Sequence, residues 1–297
     1  MNTNLKYITA AFAALPLFGA APAQATDISG TITATVTITQ DSRLTGDVTC
    51  SVTGAPCIQF GAAGIELRLD GHVMTGNGAR DSCPSSTPKE DGIFTNGQLR
   101  VAVLGPGIVR RFRQRAIEVT GNESVVKGVT VLSTCQEGIL VGGAQNLIED
   151  NSVSRASLGA AGDASIWVQG TGGHLIRRNE VSTPGSLTPS GQGIFVGSGT
   201  PSKNNRIEQN SASGIPGTGL FFTAGSTGNY VARNQFLGNL IFVDITDPNP
   251  FGTNIYEDNL CETSQVGTPT PTNVCEVPDI AGHQNPRARD DDDWDQR

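Results

Sequence analysis

The sequence predicts an all-β chain, a single parallel β-helix of about eight coils, from two recurring phrases and the turn chemistry between them. The first phrase runs small residue, isoleucine, any residue, valine. Its central positions are Ile93, Ile117, Ile139, Ile166, Ile194, Leu220 and Ile241, in steps of 24, 22, 27, 28, 26 and 21 residues. Self-similarity at such a period marks a solenoid. The second phrase ends in asparagine, as in Ile148 to Asn151, Ile176 to Asn179, Ile207 to Asn210, Val231 to Asn234 and Tyr256 to Asn259. An apolar residue two places on (Val153, Val181, Ala212, Phe236, Cys261) supplies a third strand. Gly, Ser, Thr and Asn fill the connections, and no long stretch has helical periodicity. Three short strands per coil, stacked in parallel, make a β-helix about 40 Å long at the usual strand spacing.

The elements follow in chain order. Residues 1–25 carry a lone Lys6, an apolar run from Ile8 to Ala21 broken by Pro16, and Ala23-Gln24-Ala25 as a small-residue cleavage site. This reads as a secretory signal peptide, with export to periplasm or medium. No later stretch is apolar enough to enter a bilayer. Residues 26–56, with the alternating run Thr31 to Ile38, form a cap over the sheet edge that the first coil would otherwise expose. Residues 57–261 form the coils. Isoleucine stacks on isoleucine inside, and the recurring Asn stack at a tight turn, where Asn tolerates backbone that branched residues resist. Outward positions Lys127, Glu149, Arg177 and Glu208 alternate in sign and form cross-strand pairs on a solvated face. Residues 262–285 are a disulfide-closed segment, and residues 286–297 an acidic disordered tail. Asp290 to Asp293 lack the glycine turn and fixed spacing of a calcium loop.

All six cysteines (Cys50, Cys57, Cys83, Cys135, Cys261, Cys275) follow the cleavage site, which fits a disulfide framework in an exported protein. Six cysteines allow about 15 pairings. Proximity favours Cys50 with Cys57 and Cys261 with Cys275, which leaves Cys83 with Cys135. Loss of Lys6 with the leader takes the formal charge from −8 to −9, so nucleic acid is a poor partner.

Leu44 to Cys50 and Glu66 to Gly76, with Asp70-Gly71-His72 inside, resemble the opening of bacterial right-handed parallel β-helix repeat proteins, the NosD-like and pectate-lyase-like group. The resemblance covers roughly residues 36–261 and implies a right-handed helix. Its subfamilies differ in chemistry. The paired Asp and Gly-His-Gly of polygalacturonase-like hydrolases are missing, since Gly71-His72-Val73 is a fragment. Asp247-Pro248-Asn249-Pro250 lacks the His and second Asp of the alginate-epimerase element. Copper, which NosD-type relatives imply, wants several soft or imidazole ligands. The chain offers His72, His174, His283 and, after leader removal, Met74. His72 and His174 read as turn residues, His174 as an exposed one. A polysaccharide lyase needs less: a base, and a cation beside the substrate carboxylate. Arg110, Arg111, Arg113 and Arg115 are the densest basic cluster. The resemblance then implies Arg113 or Arg115 as base or carboxylate ligand, with Glu118, Glu137 or Asp163 holding an ion such as Ca2+. The competing reading pairs the cluster with Glu118 and Glu137 as an ordinary charged surface.

In the first phrase the middle residue faces outward. Coil by coil it is Phe94, Glu118, Leu140, Trp167, Phe195, Phe221 and Phe242, a largely aromatic stripe. A groove for an extended polysaccharide lies on the corresponding face of pectate-lyase-like proteins, between entering loops. The two long loops here, Ser154 to Ser165 and Ser182 to Gln192, bring Arg155, Asp163 and Gln192 toward Trp167 and Phe195. An aromatic floor with polar walls suits sugar rings. Two functions follow: binding or β-elimination of an acidic polysaccharide on this face, or a non-catalytic scaffold whose stripe meets another protein surface. Phe221 and Phe242, far from the long loops, fit packing better than the groove.

Overall fold

The computed structural model describes residues 25–78, 83, 89–159, 164–182, 191–239, 243–267 and 274–276. Residues 1–24 of the leader, Asp163, Ile241, Phe242, His283 and the acidic tail lie outside them. The described strands form one sheet of 18 and one of 10, and every pairing is parallel. The larger sheet is two ladders joined at the N-terminal end by one strand, Ser42–Cys50, whose first half pairs with Glu66–Arg68 and whose second half pairs with Val73–Thr75. The molecule is therefore a three-sided prism. Thr26–Ile32 pairs with Ser42–Cys50 and lies at the N-terminal edge of this sheet.

The first ladder holds ten strands, from Val36–Ile38 to Ser264–Val266. Ile58, Ile93, Ile117, Ile139, Ile166, Ile194, Leu220 and Ile245 stand in register and are fully buried. The eighth position is Ile245, where the periodicity predicts Ile241. Both segments offer an apolar residue at the right place, so the pattern alone does not choose. Asp244 fixes the later one: its Oδ2 accepts the backbone N–H groups of Glu262 (2.9 Å) and Thr263 (3.1 Å), and its Oδ1 accepts Asn239 Nδ2–H at 2.7 Å. These bonds start the strand at Ile245–Asp247. Val153, Val181, Ala212, Phe236 and Cys261 stack in the third ladder as the spacing predicts.

Between second and third ladders runs the predicted asparagine stack. Asn151, Asn179, Asn210, Asn234 and Asn259 are buried, and each side-chain oxygen from Asn179 onward accepts both the backbone N–H and the amide N–H of the Asn one coil back. The reason differs from expectation in one respect. The left-handed backbone belongs to the residue before each Asn, as at Asp150 (φ 55°), Arg178 (φ 53°) and Gln209 (φ 56°). That turn throws the preceding polar side chain outward and aims the Asn amide inward, where it satisfies turn groups that no ladder reaches.

A second stack, not anticipated from the sequence, runs between first and second ladders through Asn146, His174, Asn205, Asn229 and Asn254. His174 is therefore no exposed turn residue; it is 1% exposed. Its Nδ1 accepts the Asn146 backbone N–H at 3.2 Å, so its Nε2–H donates to the Gln169 carbonyl at 3.0 Å. The ring is held neutral, its pKa lowered to about 4 by burial against the opposing pull of the Gln169 bond. Because the folded value lies below the ordinary 6.5, this contribution to stability is present above pH 6.5 and lost as pH falls toward 4. His174→Asn restores the prevailing residue of the stack. We expect chemical-denaturation midpoints to show a wild-type loss of about 1 kcal/mol by about pH 5.5 that this variant lacks.

The row of alternating charges is present but not wholly solvated. Glu149 is buried beneath Lys127 (2.8 Å), Arg177 and Arg178, and those cations hold its carboxyl below the ordinary value although burial acts to raise it. The cysteines close as Cys50–Cys57, Cys83–Cys135 and Cys261–Cys275.

Candidate functional site

The outward residue of each first-ladder strand follows from the register. In order these are Thr37, Gln59, Phe94, Glu118, Leu140, Trp167, Phe195, Phe221, Thr246 and Gln265. The aromatic part is narrower than predicted at one end and firmer in the middle. Leu140 is only 4% exposed and offers no open floor. Trp167, Phe195 and Phe221 are half-buried and form one stack, with ring centroids 5.0 Å apart for the first pair and 5.3 Å for the second. The indole N–H of Trp167 donates to the Gly197 carbonyl at 2.6 Å, which fixes the ring on the strand of the next coil. Phe221 thus belongs with Phe195. Ladder register, not loop length, sets which rings meet.

The residues that follow these strands make a neutral polar rim. Ser198 Oγ lies 3.3 Å from Gln169 Oε1, and Thr223 Oγ1 lies 3.1 Å from Ser226 Oγ. Gln192 opens the strand beside Ala164 and accepts the Thr218 backbone N–H at 2.9 Å. Arg155 sits in a left-handed turn just after the third-ladder strand Ser152–Ser154, its N–H bonded to the Ser182 carbonyl at 3.0 Å. Asp163 falls outside the described residues.

Two coils toward the N-terminus lies the arginine cluster. Arg110 donates to Thr75 Oγ1 at 3.0 Å, and Arg113 pairs with buried Glu90. Arg115 is the hub: it reaches Glu137 Oε2 at 2.8 Å, Glu118 Oε2 at 3.2 Å and Asp91 Oδ1 at 3.8 Å. Asp91 and Glu137 are almost wholly buried, whereas the Glu118 side chain keeps 17% exposure on the outer face. Burial, then the Glu118 charge, pushes Asp91 up to about 7 against the opposing pull of Arg115. Glu137 is raised, chiefly by burial and against the pull of Arg115. Burial acts to lower Arg115, but the carboxylates of Glu137, Glu118 and Asp91 outweigh it and raise its pKa. An arginine so held keeps its proton and serves poorly as a base. Asp91, not an arginine, is the group here whose pKa burial moves toward neutrality.

The family comparison adds an expectation of metal. The sequence model of the family described as periplasmic copper-binding protein (NosD) matches residues 73–271, more than half of the chain. The donor chemistry of the described residues does not fit copper. His174 has both ring nitrogens engaged inside the stack, Met74 is fully buried, and every cysteine is in a disulfide. His72 lies 3.7 Å from Asp47 on the surface without a second imidazole. Among the described residues no three His, Cys, Asp or Glu are grouped to hold a metal ion; Glu118 and Glu137 meet at Arg115, and Asp163 lies outside the described residues.

No curated protein matches the chain. Among solved structures it is similar to the Dettilon tailspike protein (gp208), with a TM-score of 0.50 and 14% identity over 78% of this chain and 55% of that one. It is also similar to tailspike protein 2 of Escherichia coli O157:H7 bacteriophage CAB120 (TM-score 0.40, 13% identity, 84% of this chain and 38% of that one). A third is XylC, in a complex with xylose (TM-score 0.36, 10% identity, 69% and 38%). The chain thus spans little more than half of the first of these proteins and less of the others; the likeness is one of fold. No described helix is long and apolar enough to cross a membrane. With its three parallel ladders and a family match over residues 73–271, the chain belongs to the NosD family, a family of periplasmic β-helix proteins.

Proposed function

We propose that this is an exported periplasmic protein, directed by the leader at residues 1–25, that binds an extended polysaccharide on the outer face of the first ladder. One observation carries the reading: the half-exposed stack of Trp167, Phe195 and Phe221, bordered by Gln169, Ser198 and Thr223. Sugar rings stack their C–H faces on aromatic surfaces while their hydroxyls take hydrogen bonds from a polar rim. Three aromatic rings in line would otherwise be a costly face to leave in water. The role is binding. β-Elimination by Arg113 or Arg115 does not suit the site, since both are committed to carboxylates. Incubation with pectate or alginate is expected to give no rise in the absorbance of unsaturated uronates.

Trp167→Ala tests the reading. It should weaken polysaccharide binding by about tenfold in calorimetry, the scale of one lost aromatic stacking contact. Unchanged binding with a lowered melting temperature would show that the stack serves packing or contact with another protein.

A further inference from the structure

We infer that the polysaccharide is a neutral, extended, equatorially linked glycan lying along the solenoid axis with one sugar over each coil. The inference rests on the binding role just proposed and names the class of ligand.

Spacing comes first. The three rings recur every 5.0 to 5.3 Å because each stands on the next strand of a parallel ladder. A flat glycan with equatorial linkages advances per sugar by roughly the same distance as a sheet advances per strand, about 5 Å. Both faces of an all-equatorial pyranose carry axial C–H groups. A chain that turns over from sugar to sugar therefore keeps C–H against the floor at every ring. Axially linked polymers coil, and their sugars fall out of step with the ladder. The tilts of 40° and 59° between neighbouring rings break the floor into separate platforms, one for each sugar.

Charge decides the rest. Of the ten outward positions on the first ladder, only Glu118 is ionisable, and the rim residues Gln169, Ser198 and Thr223 are neutral. Arg113 and Arg115 are neutralised by Glu90, Glu137, Glu118 and Asp91. None of the ten outward positions thus offers a cation to a uronate, and a carboxylate stands near the N-terminal end of the row. Glu118 lies two rungs from Trp167, about 10 Å, somewhat beyond the Debye length of about 8 Å at physiological salt. Its charge, shared with Arg115, is felt mainly at the N-terminal end of the aromatic stack and disfavours an anionic sugar there.

The experiment is calorimetric titration of the mature protein with oligosaccharides of increasing length. The probes are cello- and manno-oligosaccharides (neutral), oligogalacturonates and alginate oligomers (anionic), and chitosan oligomers (cationic). For the neutral series affinity should climb with each sugar until the three rings are covered, then level off. Anionic oligomers of equal length should bind at least tenfold more weakly. Glu118→Gln should narrow that gap by no more than about twofold, as removing one charge at about 10 Å in water predicts. Equal or tighter binding of anionic or cationic oligomers would overturn the neutral class while leaving polysaccharide binding intact. Affinity that ignores length would overturn the one-sugar-per-coil register. Failure of every glycan to bind would sink the binding role itself, and this inference with it.

Discussion

Replacing Asn210 by alanine should cost the protein about 4 kcal/mol, the scale set by orphaning two buried backbone groups. The Asn210 side-chain oxygen accepts the Asn179 backbone N–H at 3.0 Å, and its amide donates to the Ile176 carbonyl at 2.8 Å. Alanine leaves both groups without partners at a site where Asn210 is 1% exposed, so water cannot replace them. The stack also loses its links to Asn179 and Asn234. Coils of a solenoid are stabilised by their neighbours, so the damage should be felt on both sides of the gap. Denaturant midpoints measure the cost, and hydrogen exchange should show lost protection in the coils around Asn179 and Asn234. A loss below about 1 kcal/mol would mean that the stack is ornamental and that the aliphatic interior alone holds the coils together.

Arg115→Ala should be comparably severe, and its severity should depend on pH. Removing the hub leaves Asp91, Glu118 and Glu137 facing one another, two of them buried. Breaking a buried ion pair from one side costs about 3–5 kcal/mol, mostly for the uncompensated charge that stays behind. The sign follows from Asp91, whose folded value of about 7 lies above its ordinary 3.8. Such a group favours the folded state in its protonated form: that stability is complete below about pH 4 and is lost as pH rises through about 7. Arg115 pulls the Asp91 value down, so its removal raises it further, and the variant should fall increasingly behind wild type as pH rises past about 7 and be least affected at the acid end, the reverse of the acid sensitivity at His174. Denaturation midpoints of both proteins across that range give the test. A deficit that stays constant with pH would show that Arg115 contributes packing rather than charge compensation.

Much of the fold was legible in the sequence because a β-helix writes its repeat into every coil. The interior isoleucines, the third-strand positions from Val153 to Cys261 and the first asparagine stack all announce themselves by spacing. Ile245 did not, because a second apolar triplet lies four residues earlier and only the bonds to Asp244 choose between them. The second stack was hidden because His174 occupies one of its places and breaks the asparagine pattern. The aromatic stripe was legible as alternation, but Leu140 drops out of it by burial, a property of the packed chain and not of the strand.

The sequence by itself determined that this chain winds into a parallel β-helix and which residues point inward or outward, since strand alternation and a fixed period are local rules. Only the tertiary structure decided what the outward residues amount to. Arg113 and Arg115 are a basic cluster in sequence and are matched by carboxylates in space, because Glu90, Asp91 and Glu137 arrive from neighbouring coils. Trp167, Phe195 and Phe221 are separate residues in sequence and one platform in space, because parallel register sets each ring about 5 Å above the last. Charge and contact depend on distances across coils, and those distances exist only once the chain has been wound.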